Sequence, residues 1–227
     1  MEVHQWPLPL QTDHWPPLGD PDIHYFGQVA AQNDCLHRHT FTSRYLVFTD
    51  LDEFIIPRRV ANWSELLRDR EAAHYARERN KTSGKNISFF LFKCVLFRKE
   101  WMQPAVNFSG SSLAEEFRSV VLRHPVRELK TFPFGERSKF IAVSGEVEQG
   151  GIHVPRDYRG VQDGVEEDVA FLHHYRSWER PNDTQEVKID SKVIDVFGER
   201  LVAKLTDAWQ GLQGVPMDVD LTIYERL

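Results

Sequence analysis

The chain has 227 residues, 41% hydrophobic and 27% charged, with a net charge of −6. Acids and bases are mixed along it, which fits one domain with a full core and leaves no basic stripe for nucleic acid. No apolar run reaches the ~18 residues needed to cross a bilayer.

Residues 1–24 carry Pro7, Pro9, Pro16, Pro17 and Pro21, and predict an irregular N-terminal segment unlike a signal peptide. Tyr25 to His39 predicts a helix with Phe26, Val29, Ala30 and Asn33 on one face. Tyr45–Thr49 follows as a strand whose apolar run suits burial on both faces, as in a parallel sheet. Asn62 or Ser64 caps a second helix, with Trp63, Leu66, Leu67 and Ala73 inward. Ile87 to Arg98 is too aromatic and β-branched for a surface helix and predicts a long strand or a strand pair. Residues 103–116 predict a loop, and Phe117–Arg123, Lys139–Val143 and Val169–His174 predict short strands. A last helix starts at Ser191, with an apolar stripe from Val193 to Leu212, and Gly214-Val215-Pro216 stops it. The chain therefore reads as an α/β domain over 25–214, between the irregular segment 1–24 and a tail, 215–227.

The chemistry concentrates just after the first strand, at Asp50-Leu51-Asp52-Glu53. An unpaired buried carboxylate costs several kcal/mol, so these acids are expected beyond the strand end, where open α/β sheets place ligands. If the extension continues, Asp50 and Asp52 share a side and Glu53 faces the other. Converging carboxylates make a hard-oxygen site for Mg²⁺ or Mn²⁺ that also holds substrate phosphates. Asp50, Asp52 and Glu53 are the candidate catalytic acids. His174 lies opposite His173 across its strand and can complete a metal shell, with His153 as its rival. Arg176 and Lys139 are candidate phosphate contacts. Asp163, Glu166, Glu167 and Asp168 form a solvated loop in which any acid could serve as a general base.

Five of the six asparagines, Asn62, Asn80, Asn86, Asn107 and Asn182, open Asn-x-Ser/Thr, against about 0.6 expected by chance. That excess predicts passage through a secretory lumen. Cys35 and Cys94 either pair there or remain two small buried hydrophobes.

Several pieces taken in order resemble family 92 of the glycosyltransferases. They are Gly27-Gln28 through Asn33-Asp34-Cys35-Leu36, Asp50 through Pro57, Arg137 through Ile141, Gly151-Ile152-His153, and His173 through Arg176. The resemblance covers roughly residues 20–180. It implies a GT-A-like, Rossmann-like mixed sheet flanked by helices. It also implies an inverting transfer of galactose from UDP-galactose to a glycan, with Mn²⁺ or another divalent cation. Asp50 and Asp52 match the family's Asp-x-Asp, and His153 and His174 match its later histidines, either of which could close the metal shell. The family's proteins sit in the Golgi lumen on one N-terminal membrane helix, and any membrane contact here would come through a segment outside this chain. The resemblance leads to the expectation that the family's opening strand–helix units lie before residue 1 and that the catalytic domain in this chain is partial. Other readings are an inactive or glycan-binding remnant and an Asp-nucleophile phosphatase. The latter normally has Thr or Val where Phe54 stands.

Overall fold

The structure, a computed structural model, describes residues 27–79, 84–99, 101, 108–177 and 186–212. The irregular segment 1–24, the start of the first helix at Tyr25 and Phe26, the stop at 214–216 and the tail lie outside the described residues. Among the described residues the chain is mixed α/β, as expected.

The helix α1 spans Gln28–Arg38 and starts at Gly27, whose φ of 68° suits glycine. It is followed by β1 (Tyr45–Phe48) and β2 (Glu53–Pro57). The helix α2 (Trp63–Glu78) is capped by Asn62, whose Oδ1 accepts from Glu65 N at 2.9 Å. Its inner face is Leu66, Leu67 and His74, whereas Ala73 is exposed. The His74 ring nitrogen bonds the Lys85 carbonyl at 2.8 Å, so one imidazole supplies both apolar area and a satisfied polar atom.

The expected strand pair is present as β3 (Ile87–Phe92) and β4 (Cys94–Arg98), buried throughout. The two strands enter different sheets. One sheet has the order β1-β6-β3-β9, with β6 at Lys139–Val143 and β9 at Val161–Val165. The other has the order β2-β10-β4, with β10 at Ala170–Arg176. Each of these sheets mixes parallel and antiparallel pairs, and two small antiparallel pairs join β5 (Val126–Glu128) to β11 (Val187–Ile189) and β7 (Val147–Gln149) to β8 (Asp157–Tyr158). Ile87, Phe90, Phe92, Cys94 and Leu96 pack with Leu66, Leu67, Ile141 and Leu172 in one core. Burying a side chain such as Phe90 contributes about 1.5–3 kcal/mol.

Several expectations are corrected. β1 is not buried on both faces, since Val47 is 37% exposed, and among the described residues it stands at the end of its sheet, antiparallel to β6. The doubly buried positions fall to β3 and β6, which have strands on both sides. Phe117–Arg123 is not a strand. After α3 (Ser111–Glu116), inside the expected loop, the chain turns into the short helix α4 (Val120–Arg123). These helices pack against α5 (Lys192–Gly211), where Gly110 lies so close to Val202 that a Cβ would approach it to 2.7 Å. A β-branched run is therefore helical here because tertiary packing overrides its local preference.

Cys35 and Cys94 are unpaired, and only Cys94 is buried. Burial, with the Glu53 charge next, pushes the Cys94 thiol well above its ordinary range. A thiol reagent should therefore modify Cys35 in the native protein and Cys94 only after unfolding. Mass spectrometry of singly and doubly labelled chains checks this, and a native chain labelled at Cys94 would contradict it.

Candidate active site

Strand register builds the site. Phe48 of β1 faces Phe140 of β6, so Lys139 at the start of β6 lies beside the chain leaving β1. His174 of β10 faces Glu53 at the start of β2. The segment between β1 and β2 is a tight turn, with Glu53 N donating to the Asp50 carbonyl at 3.1 Å. The extension therefore stops at Asp50, and Asp50 and Asp52 take different partners.

Asp50, with its side chain 43% exposed, meets two donors. Lys139 Nζ is 2.9 Å from its Oδ2, and Gln28 Nε2 is 3.1 Å from its Oδ1. Asp52, with its side chain 46% exposed, turns outward, its Oδ2 being 3.3 Å from His174 Nε2. Burial pushes the Asp52 carboxyl up, but the His174 contact and charge, with the charge of Arg176, hold it below the usual carboxylate range. Tyr175 N donates to the Asp52 carbonyl at 2.9 Å, locking the turn to β10.

Glu53 corrects the expectation that all three acids lie outside. It is 4% exposed, inside the protein. Its Oε2 accepts from Asp50 N at 2.9 Å and lies 3.2 Å from Lys139 Nζ, and its Oε1 is 3.4 Å from His174 Nδ1. Lys139 is itself only 1% exposed, so it is no solvated strand-start lysine. A buried carboxylate is tolerable here because a buried ammonium stands against it. Burial still dominates and raises the Glu53 carboxyl, against the Asp50 N–H, Lys139 and His174. In this position Glu53 reaches neighbouring side chains rather than solvent.

The remaining candidates separate. His153 Nδ1 lies 3.2 Å from the Ser138 carbonyl, and burial followed by the Lys139 charge lowers its pKa. The turn that carries it is tight, since a Cβ on Gly151 would come within 2.3 Å of the Val154 carbonyl oxygen. Arg176 stands at the end of β10 with its Nε 3.4 Å from the Ser177 carbonyl. His173 faces away from the site into a buried network. Its Nε2 is 2.6 Å from Arg58 Nη2, its Nδ1 is 3.0 Å from the Tyr175 hydroxyl, and it stacks on Phe97 and Phe171. Burial, followed by the Arg58 charge, drives its pKa well down, leaving it a neutral packing residue.

The four loop acids serve structure. Asp163 takes two bonds from Arg70, at 2.6 and 2.7 Å. Glu166 pairs with Lys93, Glu167 accepts from Thr131, and Asp168 pairs with Arg59. None of these contacts marks a general base.

Among the described residues no group of three or more His, Cys, Asp or Glu is gathered for a metal ion. The pair Asp52–His174 nevertheless fits one. Two donors each about 2.1 Å from an ion, at right angles, stand about 3.0 Å apart. The observed gap between Asp52 Oδ2 and His174 Nε2 is 3.3 Å. Hard divalent ions commonly take one or two protein carboxylates and complete their shell with water and substrate phosphate. Asp50 and His153 have other partners in this arrangement.

Over residues 1–205 the sequence matches the model of Glycosyltransferase family 92. The chain belongs to glycosyltransferase family 92. A family 92 protein of Caenorhabditis elegans is 26% identical over 135 residues, 60% of this chain and 23% of that relative. A galactan beta-1,4-galactosyltransferase of Arabidopsis thaliana is 23% identical over 177 residues, 76% of this chain and 31% of the relative. A beta-1,4-galactosyltransferase of C. elegans is 40% identical over 45 residues, 20% of this chain and 11% of the relative. The chain thus spans less than a third of the length of these relatives.

Three features of this family 92 site were not legible as chemistry in the sequence. They are the grip of Gln28 on Asp50, the buried ammonium of Lys139, and the approach of Cys94 Sγ to 3.9 Å from His174 Nδ1. Gln28 and Lys139 both lie in segments carrying the family resemblance, but that signal does not say what they touch. No helix among the described residues is long and apolar enough to cross a membrane.

Proposed function

We propose that this chain is part of a galactosyltransferase that moves galactose from UDP-galactose to a glycan, with inversion and with Mn²⁺ or another divalent ion. Family membership and two relatives named as galactosyltransferases support the reaction class. The observation that carries the metal dependence is the pair of half-exposed Asp52 and buried His174, 3.3 Å apart. Asp52 and His174 would hold the ion, whose chemistry when bound is to neutralise charge on the departing diphosphate. Lys139 and Gln28 hold Asp50, and with it the turn that aims Asp52 outward. Arg176 stands next to His174 and Tyr175 on β10, where a guanidinium can meet phosphate oxygens in a fork. We place the reaction in a Golgi or other secretory lumen, on the strength of the Asn-x-Ser/Thr excess.

Incubating the full-length protein with UDP-galactose, Mn²⁺ and β-galactan oligosaccharides tests the reaction. Galactose transfer that stops on chelation and returns on adding Mn²⁺ is the expected result. Turnover of another donor, or unchanged transfer in chelator, removes the corresponding part of the reading.

Location has its own readout. Asn62 and Asn86 are both exposed, while Asn80, Asn107 and Asn182 lie outside the described residues. The protein from its own cells should lose mass on treatment with an endoglycosidase. An unchanged mass together with a cytosolic distribution would refute the lumenal placement.

A further inference from the structure

A cavity of about 860 Å³ shares no residue with the Asp52–His174 site. It is lined by β2 from Phe54 to Pro57 and, on α5, by Phe197, Leu201 and Leu205, each four residues after the last. That spacing puts the three on one helix face, in a row about 12 Å long. Val120 of α4 and Trp63 of α2 close the lining, and Trp63 is 41% exposed. Among the described residues two charged side chains line the cavity, Arg200 and Lys204, one turn apart on α5, and no carboxylate does. In a chain of net charge −6 that is a selective placement. Lys204 Nζ has Asp207 at 3.8 Å. The Arg200 guanidinium lies 5.5 Å from the centre of the Phe197 ring and pairs with no carboxylate among the described residues.

We propose that this cavity binds a long-chain fatty acid, with the hydrocarbon tail along the apolar row of α5 and the carboxylate on Arg200. A concave, mostly apolar lining with a few polar groups at fixed places is the usual form of a small-molecule site. A hydrocarbon tail brings no polar group that the walls would have to satisfy, and it gains by leaving water. The charged end of the ligand has to be an anion, because the lining offers cations alone. A guanidinium meets a carboxylate in two parallel hydrogen bonds. A carboxylate also carries one charge, which matches the cation without an acid partner, whereas Lys204 already has Asp207 nearby. An added peptide strand is excluded at the β2 edge. The Ile55 carbonyl there already accepts from Trp63 Nε1 at 2.9 Å, and Pro57 has no N–H to offer. The cavity is a binding function separate from sugar transfer and does not depend on the metal.

Displacement of a fluorescent fatty acid from the full-length protein tests this, with palmitate, hexadecanol and palmitoyl lysophosphatidate as competitors, each below its micelle concentration. Palmitate should displace the probe from one site per chain, and hexadecanol should do so more weakly. Arg200→Gln removes the cation at an exposed position. It should weaken palmitate about 10–100-fold and leave hexadecanol unchanged. Ser119→Trp fills the cavity from a side chain that makes no capping bond, and should abolish both. Absence of saturable binding overturns the proposal, as does palmitate binding that survives Ser119→Trp or ignores Arg200→Gln. Lysophosphatidate binding tighter than palmitate overturns the choice of head group. Sedimentation of the same samples covers a different occupant. A dimer that Ser119→Trp dissociates, with no uptake of palmitate, gives the cavity to a second copy of the chain and removes the fatty acid. If Ser119→Trp does not fold, Arg200→Gln and the comparison with hexadecanol still decide the question.

Discussion

Asp52→Asn should lower sugar transfer by about 100-fold or more while leaving the protein folded. The residue sits at the turn between β1 and β2 with its side chain 46% exposed, and its structural contribution is a backbone carbonyl that accepts from Tyr175 N. That carbonyl survives the substitution. Surface changes of this kind usually shift stability by no more than about 0.5 kcal/mol, or roughly 2 °C in Tm for a chain of this size. What is lost is the charge beside His174 Nε2. The deficit should therefore appear as weaker Mn²⁺ binding and slower turnover together, and higher Mn²⁺ should recover part of it. Asp50→Asn probes the neighbouring acid. Both oxygens of the half-exposed Asp50 accept from side-chain donors, Lys139 and Gln28, so this change should act on stability more than Asp52→Asn does. A purified Asp52→Asn enzyme with near wild-type turnover would end the role assigned to Asp52.

Lys139→Met should be the most destabilising single change at the site. Methionine fits the space and removes the ammonium, leaving Glu53 buried without its cation and Asp50 with only Gln28. Removing one partner of a buried ion pair costs about 3–5 kcal/mol, because the surviving charge loses its counterion but not its burial. The effect should depend on pH with a definite sign. The folded-state pKa of Glu53 is already raised above the ordinary 4.5, chiefly by burial, and loss of Lys139 raises it further. A folded state that binds the proton more tightly than the unfolded chain gains stability as pH falls. The variant should be weakest where folded Glu53 is ionised. It should recover as pH drops through the raised value, with no further gain from this group below about 4.5. Denaturant unfolding of wild type and variant between pH 8 and 4 tests this. A pH-independent difference would show that Glu53 is not the group left uncompensated. Lys139→Met with Glu53→Gln should be less harmful than the sum of the two changes, because the unpaired charge is gone.

The sequence alone determined the elements whose signal is local and strong. The run Ile87 to Arg98 could only be buried strand, since no surface can carry that density of aromatic and β-branched side chains. Asn62 or Ser64 announced a helix start through a side-chain acceptor, the structure selecting Asn62, and the stripe from Val193 onward marked the inner face of α5. The Asp50–Asp52 segment and His174 were legible as chemistry because such polar residues at strand ends have few ordinary reasons to be there, whereas Lys139 read as a phosphate contact and is a buried ammonium. Tertiary structure decided which side each of them faces. A turn with Leu51 and Asp52 at its centre joins Asp50 to Glu53, and nothing in Asp-Leu-Asp-Glu distinguishes that turn from continued extension. Glu53 became a buried residue only because Lys139, 86 positions later, arrives on the antiparallel partner of β1. Likewise β1 reads as a central strand by composition, but its place at the end of the described sheet depends on where β6 and β3 pair. Phe117–Arg123 reads as strand by β-branched content and is bent into helix by α5. In each case the deciding energy is a contact between residues far apart in the chain, which local sequence does not encode.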